Sequence, residues 1–401
     1  MKQQTSLPKI EFKKISELCD LRKGKKVKTS KNKTPNSVPY LLIDTLRGEE
    51  PEFFTEDKNY TEAIPEDILI VADGANSGLV GTDVKGAVGS TILRIRINVK
   101  DLNKDYLSYF LKSKFLEFNK DMKGTGIPHL KPQKMLELEI RKPSIQTQLL
   151  IVSAIETHFS RLDNAIQNLK SVKEKIQLYR KAVLKKAFEK KEFKTFPDII
   201  SKEKHSIKRG PFGGSLKKEI FVPSGYLVYE QYHPINNNFT FGRYFITKEK
   251  FKEMGAFSVK PGDLLISCSG TIGRIAEIPK DNFREGIINQ ALLKITLDEN
   301  KIDKKYFLYL FQSDYVQKYL TKISRGVAIK NVPSVKELKQ IEFPVPDLKT
   351  QQAILSYIES KFSVIDKVEE AVDKSLDKAE KLRKSILKSA FEGKLVKEEE
   401  E

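Results

Sequence analysis

The sequence predicts an α+β protein built from two copies of one unit, each a globular part followed by a long helix. Three observations support this prediction. Residues 143–189 match residues 346–392 at a constant offset of 203, with 18 of 47 positions identical and no gap. Along both segments apolar residues recur about every 3.5 positions, which is typical of paired helices. Before each segment, short apolar runs broken by Gly and Pro indicate β-strands.

The repeat extends upstream of the helical segments with small shifts in offset. The matched pairs are 22–24 with 208–210 and 40–41 with 226–227 (offset 186), 65–70 with 261–266 (196), and 86–96 with 286–296 (200). A period near 200 residues is too long for a solenoid and indicates a tandem duplication. Duplication gives pseudo-two-fold character, which suits a nearly two-fold partner such as duplex DNA. Duplication for stability alone is the alternative.

The matched segments are predicted to be long helices that pair as an antiparallel coiled coil. Neither contains Pro or Gly between 144 and 189 or between 347 and 392, and about 40 residues give a rod of roughly 60 Å. Lys173 aligns with Leu376, so the two apolar seams differ, which favours pairing of the unlike helices. The rod would hold two globular domains near its opposite ends. A helix packed only on its own domain is the alternative. The predicted seam residues are Ile155, Phe159, Leu162, Ile166, Leu169, Ile176, Ile358, Phe362, Ile365, Val372, Leu376 and Ile386.

Charged residues interrupt this seam at four positions. They are Lys173 and Arg180 in the first segment and Glu369 and Arg383 in the second.

Each globular part is expected to be α+β, with a helical stretch after its second strand pattern, at Leu107–Phe118 and Tyr306–Leu320. The predicted organisation is a first globular domain (1–145), a central helix (146–190), a second globular domain (191–348), a C-terminal helix (349–397) and an acidic tail (398–401).

Composition narrows the class of protein. Lys and Arg number 72 against 54 Asp and Glu, a net charge of +18. No apolar run approaches the roughly 18–20 residues of a membrane span, and residues 1–14 lack an apolar signal core. Two Cys and four His do not form a disulfide framework or a Cys/His metal cluster. These features favour a cytoplasmic location. The basic charge favours a polyanionic partner, with a surface kept basic for solubility as the alternative.

Each globular domain is basic, at +6 for 1–145 and +8 for 191–348. The densest run has a counterpart around the glycines at 210, 213 and 214, and such loops suit contact with phosphates. A solvated lysine-rich face is the alternative. The predicted phosphate-contacting residues are Arg22, Lys23, Lys25, Lys26 and Lys28 in the first copy and Lys208, Arg209, Lys217 and Lys218 in the second.

Two further pairs of loops carry polar residues that suit the edges of bases, namely 73–78 with 269–274 and 124–131 with 326–332. Structural turns between strands are the alternative interpretation. The predicted contact residues are Asn76, Ser77, Thr125, His129 and Lys131 in the first copy and Ser269, Thr271, Arg274, Arg325, Lys330 and Asn331 in the second.

With these motifs, the chain resembles the specificity subunits of type I restriction-modification systems over nearly its whole length. The resemblance rests on the segments 210–215, 261–273, 286–290, 343–346 and 350–352, and on the order of domain, helix, domain and helix. The first copy departs from the pattern at 22–26 and 141–143. Differing halves are expected in this family.

The resemblance implies a DNA-recognition subunit without catalytic residues. Each globular half would be a target recognition domain for one half of a split DNA sequence. The paired helices would set the spacing and dock two methyltransferase subunits, with restriction subunits joining. S-adenosylmethionine would then belong to the methyltransferase, ATP and Mg²⁺ to the restriction subunit, and no cofactor to this chain. A prokaryotic, cytoplasmic and nucleoid-associated location follows.

Two rival hypotheses remain. The sequence contains no Asn/Asp-Pro-Pro-Tyr/Phe string for adenine methylation and no Walker loop, yet a nuclease or methyltransferase with unrecognised motifs is one rival. The other is a coiled-coil scaffold whose globular domains bind proteins and do not recognise DNA sequences.

Overall fold

The computed structural model describes residues 11–74, 76–114, 130–189, 192–211, 213–323 and 334–396. The chain divides into two compact units. Unit 1 comprises Met1–Lys170 and Asp373–Glu401, and unit 2 comprises Ser171–Val372. Two long helices, α5 (Ile145–Ala187) and α12 (Leu348–Phe391), each contribute to both units.

Unit 1 contains two four-stranded sheets of order β2-β9-β6-β7 and β4-β3-β8-β5, and the pair β1-β10. Its strands are β1 (Phe12–Lys14), β2 (Cys19–Lys23), β3 (Val38–Leu41), β4 (Phe54–Thr55), β5 (Glu62–Ala63), β6 (Ile68–Val71), β7 (Val80–Gly81), β8 (Gly86–Val88), β9 (Ile92–Ile97) and β10 (Glu139–Arg141). Its shorter helices are α1 (Ile15–Leu18), α2 (Ile43–Leu46), α3 (Lys104–Ser113) and α4 (Pro132–Leu136).

Unit 2 has the corresponding sheets β12-β18-β15-β16 and β14-β13-β17, and the pair β11-β19. Its strands are β11 (Phe193–Thr195), β12 (Ile207–Arg209), β13 (Tyr226–Tyr229), β14 (Phe245–Ile246), β15 (Leu264–Ser267), β16 (Ile275–Glu277), β17 (Gly286–Ile288), β18 (Leu292–Ile295) and β19 (Glu342–Pro344). Its shorter helices are α6 (Phe196–Ile199), α7 (Tyr232–Asn236), α8 (Lys248–Glu253), α9 (Lys304–Gln312), α10 (Asp314–Ile323) and α11 (Val335–Leu338).

The strand registers show which residues of the two units are structurally equivalent. Arg22 pairs with Arg94 across β2 and β9, and Lys208 pairs with Lys294 across β12 and β18. The predicted match of residues 22–24 with 208–210 therefore agrees with the register.

The predicted match of residues 40–41 with 226–227 is wrong by two residues. Gly89 donates its N–H to the Leu41 carbonyl, and its counterpart Asn289 donates to the Tyr229 carbonyl, both at 3.0 Å. Residues 40–41 therefore correspond to 228–229, because the pairing with β8 or β17, and not the local identity of Tyr and Leu, fixes the register.

The predicted helix over Tyr306–Leu320 is two helices. Ser313 is extended, with φ −66° and ψ 153°, and its hydroxyl donates to the Leu310 carbonyl at 2.5 Å. The side chain thus competes with the next helical hydrogen bond, and the backbone turns before Asp314 starts α10. The last residues of the predicted stretch Leu107–Phe118 lie outside the described residues.

In each unit a buried glutamine joins the globular part to the start of a long helix. Gln148 accepts from the Asn103 N–H at 2.8 Å and donates to the carbonyls of Asp101 and Pro143 at 3.0 and 2.9 Å. Gln351, at the equivalent position, makes the same three bonds to Asp303, Lys301 and Pro346. Because the amide is buried and fully satisfied, each long helix begins at a fixed point on its domain.

In unit 1 the two long helices run antiparallel. Arg383 of α12 forms an ion pair with Asp163 of α5 and lies over the Phe159 ring, 4.5 Å from its centroid. Further along, Ile155 and Ala390 share the core of the same unit.

Unit 2 repeats this arrangement with the helices exchanged. Arg180 of α5 contacts Asp366 at 2.5 Å and lies 5.1 Å from the Phe362 ring centroid. The two arginines that interrupt the predicted seam are therefore equivalent residues that bridge the helices. The predicted fold class is confirmed, with two repeated α+β units and two long helices that pair antiparallel.

The predicted seam residues are all buried or half-buried. The buried ones are Ile155, Leu162, Ile176, Ile358, Ile365, Val372 and Ile386, and the half-buried ones are Phe159, Ile166, Leu169, Phe362 and Leu376. Within the described residues, none of the helices combines the length and apolar character that crossing a membrane requires.

Candidate nucleic-acid interface

Three loops of unit 1 meet at one end of its central sheet. The Gly24 N–H donates to the Ile92 carbonyl at 2.8 Å, and the Ala72 N–H donates to the Thr91 carbonyl at 2.7 Å. The Leu130 N–H donates in turn to the Ala72 carbonyl at 2.7 Å. We call residues 24–28, 72–74, 76–79, 89–91 and 130–131 the loop cluster of unit 1. It brings together parts of all three loops that the sequence singled out.

Unit 2 builds an equivalent arrangement from the equivalent backbone groups. The Gly210 N–H donates to the Leu292 carbonyl at 2.9 Å, and the Cys268 N–H donates to the Ala291 carbonyl at 2.8 Å. We call residues 210–211, 268–274 and 289–291 the loop cluster of unit 2. Two of the three backbone bonds are therefore repeated in unit 2, and the counterpart of the Leu130 bond lies outside the described residues.

Glycine is required at two kinds of position in these clusters. A Cβ on Gly24 would lie 2.1 Å from the Gly89 carbonyl oxygen, and one on Gly210 would lie 1.9 Å from the Asn289 carbonyl oxygen. Gly74 and Gly270 instead have φ of +99° and +67°, with open space where a Cβ would point. The first pair permits close packing of backbone, and the second forms turns at an open edge.

The predicted basic run of unit 1 does not form one face. Arg22 and Lys23 point to opposite faces of β2 because side chains alternate along a strand. Arg22 pairs with Asp20 at 3.0 Å, Lys23 with Asp73 at 2.9 Å, and Lys25 donates to the Asn59 side chain at 2.6 Å.

Two lysines of this run remain fully available. Lys26 and Lys28 are exposed and form no ion pair with a described residue. Lys131 is also exposed, at the N-cap of α4.

The polar side chains at positions 76 and 77 form hydrogen bonds within unit 1. Ser77 is buried, and its hydroxyl donates to the Ala72 carbonyl at 2.9 Å. The Asn76 side-chain oxygen accepts from Arg47 at 2.7 Å. Both contacts fit the alternative interpretation of a structural turn, and the buried Ser77 side chain is not accessible from the surface.

The predicted residues of unit 2 divide in a similar way. Lys208 is half-buried over the Phe257 ring, 5.0 Å from its centroid, and Arg209 is half-buried on the opposite face of β12. Ser269 is half-buried. The exposed members are Lys217, Lys218, Thr271 and Arg274. The predicted contacts Thr125, His129, Arg325, Lys330 and Asn331 lie outside the described residues, as does the acidic tail.

Sequence reasoning missed a buried cation at the centre of each sheet. Arg94 is 5% exposed, and its guanidinium donates to Asp20 at 2.5 Å and to the Glu62 carbonyl at 3.4 Å. Lys294, at the equivalent position, is 7% exposed and donates to the Ser258 carbonyl at 2.7 Å. Burial lowers the pKa of both cations. The sequence does carry a signal for this pair, because a basic residue occupies the matched positions 94 and 294 in two otherwise apolar strands.

Each buried cation lies directly across from an exposed or half-buried basic residue of the loop-bearing strand. Like charges in such cross-strand pairs repel. In unit 1 Asp20 bridges the two guanidinium groups of Arg22 and Arg94. The carboxylate of Asp20 therefore offsets the repulsion between these two cations. Among the described residues no group of His, Cys, Asp and Glu suits a metal ion.

Comparison with known proteins identifies the class of protein that this architecture defines. The family model for the type I restriction modification DNA specificity domain matches residues 9–177 and 212–376. These two matches cover most of the chain, one in each copy of the repeat. The chain therefore belongs to the type I restriction-modification DNA specificity family.

Relatives and solved structures of this family span nearly the whole chain. The type I restriction enzyme MjaVIII specificity subunit of Methanocaldococcus jannaschii is 27% identical over 89% of this chain and 86% of the relative. The EcoBI specificity subunit of Escherichia coli is 24% identical over 95% and 85%.

Two solved structures share the fold. One is described as the structural basis of complex assembly and conformational transition of the type I R-M system. Its match covers 97% of this chain and 99% of that chain, with a TM-score of 0.69 and 15% identity. The HsdS subunit from Thermoanaerobacter tengcongensis covers 98% of this chain and 100% of its own, with a TM-score of 0.55 and 16% identity.

Proposed function

We propose that this chain is the DNA sequence-specificity subunit of a type I restriction-modification complex, in which each unit recognises one half of a bipartite duplex target. One observation carries the proposal. Identical backbone bonds hold the loop clusters of both units, while the side chains placed on them differ. A constant frame with a variable surface is what recognition of two different half-sites requires.

Phosphate contacts would position each unit on the duplex. Lys26 and Lys28 in unit 1 and Lys217 and Lys218 in unit 2 are exposed and form no ion pair with a described residue. Such lysines displace condensed counterions from DNA at little cost in lost protein contacts. Base recognition would come from polar side chains of the loop clusters, with Thr271 and Arg274 the exposed examples in unit 2.

The paired helices would set the distance between half-sites and dock two methyltransferase subunits. Equivalent positions of the two units expose apolar side chains on these helices. Leu382 is 51% exposed in unit 1, and its equivalent Tyr179 is 50% exposed in unit 2. Two equivalent apolar surfaces suit two copies of one partner.

The chemistry would belong to those partners. S-adenosylmethionine would be bound by the methyltransferase subunits, and ATP and Mg²⁺ by a restriction subunit where one joins. This chain would bind none of them and would be non-catalytic, with DNA as its ligand in the nucleoid.

The test is to express the chain with its partner methyltransferase subunit in a host free of adenine methylation, and to map methylated bases by single-molecule sequencing. We expect a split motif with a fixed unrecognised gap. Replacing residues 191–348 by those of a relative should change one half of that motif only. An assembled complex that methylates no defined motif would contradict the proposal.

The scaffold hypothesis predicts a different result. A protein-binding scaffold would bind duplex DNA weakly or without the steep salt dependence that phosphate contacts impose. Titration of the complex with duplex DNA at several salt concentrations therefore separates the two hypotheses.

A further inference from the structure

An acidic side chain lies inside the loop cluster of unit 1. Asp73 follows β6 by two residues, is 23% exposed, and receives a hydrogen bond from the Lys23 ammonium at 2.9 Å. Lys23 ends β2 and is 53% exposed. Gly74, next in the chain, opens onto free space. The pair therefore lies at the accessible edge of the candidate interface.

We infer that the Lys23–Asp73 pair recognises a G·C base pair in the half-site of unit 1. This inference rests on the proposed function and adds the residues and the base class to it. The equivalent positions in unit 2 carry Arg209 and Ser269, so the inference applies to one half-site only.

The pair presents hydrogen-bonding groups that match this base pair. A lysine ammonium only donates, and an aspartate carboxylate only accepts. In the major groove guanine offers the acceptors O6 and N7, and cytosine offers the N4 donor. O6 and N4 are themselves hydrogen-bonded, about 2.9 Å apart, which is the separation of the Lys23 and Asp73 atoms. A T·A pair offers a similar couple at thymine O4 and adenine N6. It differs in placing the thymine methyl beside the acceptor for Lys23, and the N7 acceptor beside the donor for Asp73, where N7 repels the carboxylate.

Electrostatics argue against a purely structural role for Asp73. A carboxylate close to the phosphate backbone weakens binding to every DNA sequence, so its presence in a basic loop cluster needs a compensating gain. An exposed ion pair contributes little to stability. Discrimination between base pairs supplies the gain, because a carboxylate left facing an acceptor rejects the wrong base.

The test uses Asp73→Asn and Asp73→Ser in the complete complex with the methyltransferase subunit. The control is Asp83→Asn, which removes a charge from the same unit where Asp83 pairs with Lys104 at 2.5 Å. Lys104 also contacts the Pro65 carbonyl there, before β6 begins and thus at the opposite end of the sheet. The measurements are the methylated motif and the affinity for specific and non-specific duplexes.

We expect both Asp73 variants to lose discrimination at one G·C position by about tenfold or more and to bind non-specific DNA more tightly. The other half of the motif should be unchanged, and Asp83→Asn should alter neither half.

The inference is overturned if the variants keep the wild-type motif, if the relaxed position is an A·T pair, or if specific and non-specific affinities fall together. In these cases the proposed function stands, because the wild-type motif is still bipartite. A wild-type complex without a bipartite motif would instead remove the proposed function itself, and the inference with it.

Discussion

The central strands of the two units share one register but hold their buried charges in different ways. In unit 1 the guanidinium of Arg94 faces the carboxylate of Asp20, and Arg96 grips Asp67 through two bonds of 2.7 Å. In unit 2 the equivalent groups form hydrogen bonds in which only one of the two partners is ionisable. Lys294 donates to a backbone carbonyl, and the Thr296 hydroxyl donates to Asp263 at 2.5 Å.

The difference shows what duplication constrains. The backbone hydrogen bonds of the sheets are repeated in both units. The polar side chains at equivalent positions, such as Arg94 and Lys294, differ in type and in partner. Charge is therefore variable at these equivalent positions, while each buried cation keeps at least one hydrogen-bond partner.

The largest expected difference between the units follows from removing the partner of the buried arginine. Asp20→Ala removes the carboxylate that accepts the hydrogen bond of the buried Arg94 guanidinium. It should destabilise unit 1 by about 3 kcal/mol, near the lower end for broken buried pairs because Asp20 is partly exposed. Ser206 occupies the equivalent position in unit 2, where its hydroxyl donates to the Glu203 carbonyl. Ser206→Ala should cost about 1 kcal/mol.

Amide hydrogen exchange, read separately from peptides of β9 and β18, measures each unit without assuming that the chain unfolds in one step. Equal losses of stability from Asp20→Ala in unit 1 and Ser206→Ala in unit 2 would contradict this prediction.

A buried carboxyl group should make the stability of unit 2 fall as pH rises. Burial raises the pKa of Asp263 above its ordinary value of 3.8. The folded state then holds a proton that the unfolded state has released, so this group lowers the stability of unit 2 as pH rises from about 3.8 through the raised pKa. The penalty is fully present above that pKa.

Asp263→Asn removes this titration. The stability of the variant relative to the wild type should therefore increase with pH across that window, with the effect seen in peptides of β15 and β18. Asp281→Asn, at an exposed acid of the same unit, is the control. A constant difference between variant and wild type would show that Asp263 stays ionised throughout.

The fold was largely predictable because its signals are periodic or duplicated. The apolar period along α5 and α12 predicted the helix pair, and the offsets of 186 and 200 matched β2 and β9 to their counterparts β12 and β18. The match of residues 40–41 failed because the connections around β3 differ in length, and local identity of two residues does not fix a strand pairing.

The candidate site was predictable only as loops. Glycines at repeated positions indicated which loops matter, and the structure brings them together. The direction of single side chains was not available from the sequence. Ser77 points inward and Arg94 is buried because of partners that are distant in the chain, and the same residue types elsewhere are exposed. Asp73 was not selected from the predicted loop 73–78 because its partner, Lys23, lies 50 positions away.

The smallest expected difference concerns the arginines that bridge the helices. Arg383 and Arg180 each contact an aspartate and a phenylalanine ring, but Arg180 also contacts Glu369 at 2.9 Å. The residue equivalent to Glu369 in unit 1 is Ile166, which offers no charge. Substitution by Gln should cost about 1 kcal/mol at either position, with a few tenths more at Arg180. Amide hydrogen exchange, read from the α5 and α12 peptides of each unit, measures both losses of stability. A larger loss at Arg383 would mean that packing on the ring, which is closer in unit 1, outweighs the additional carboxylate in unit 2.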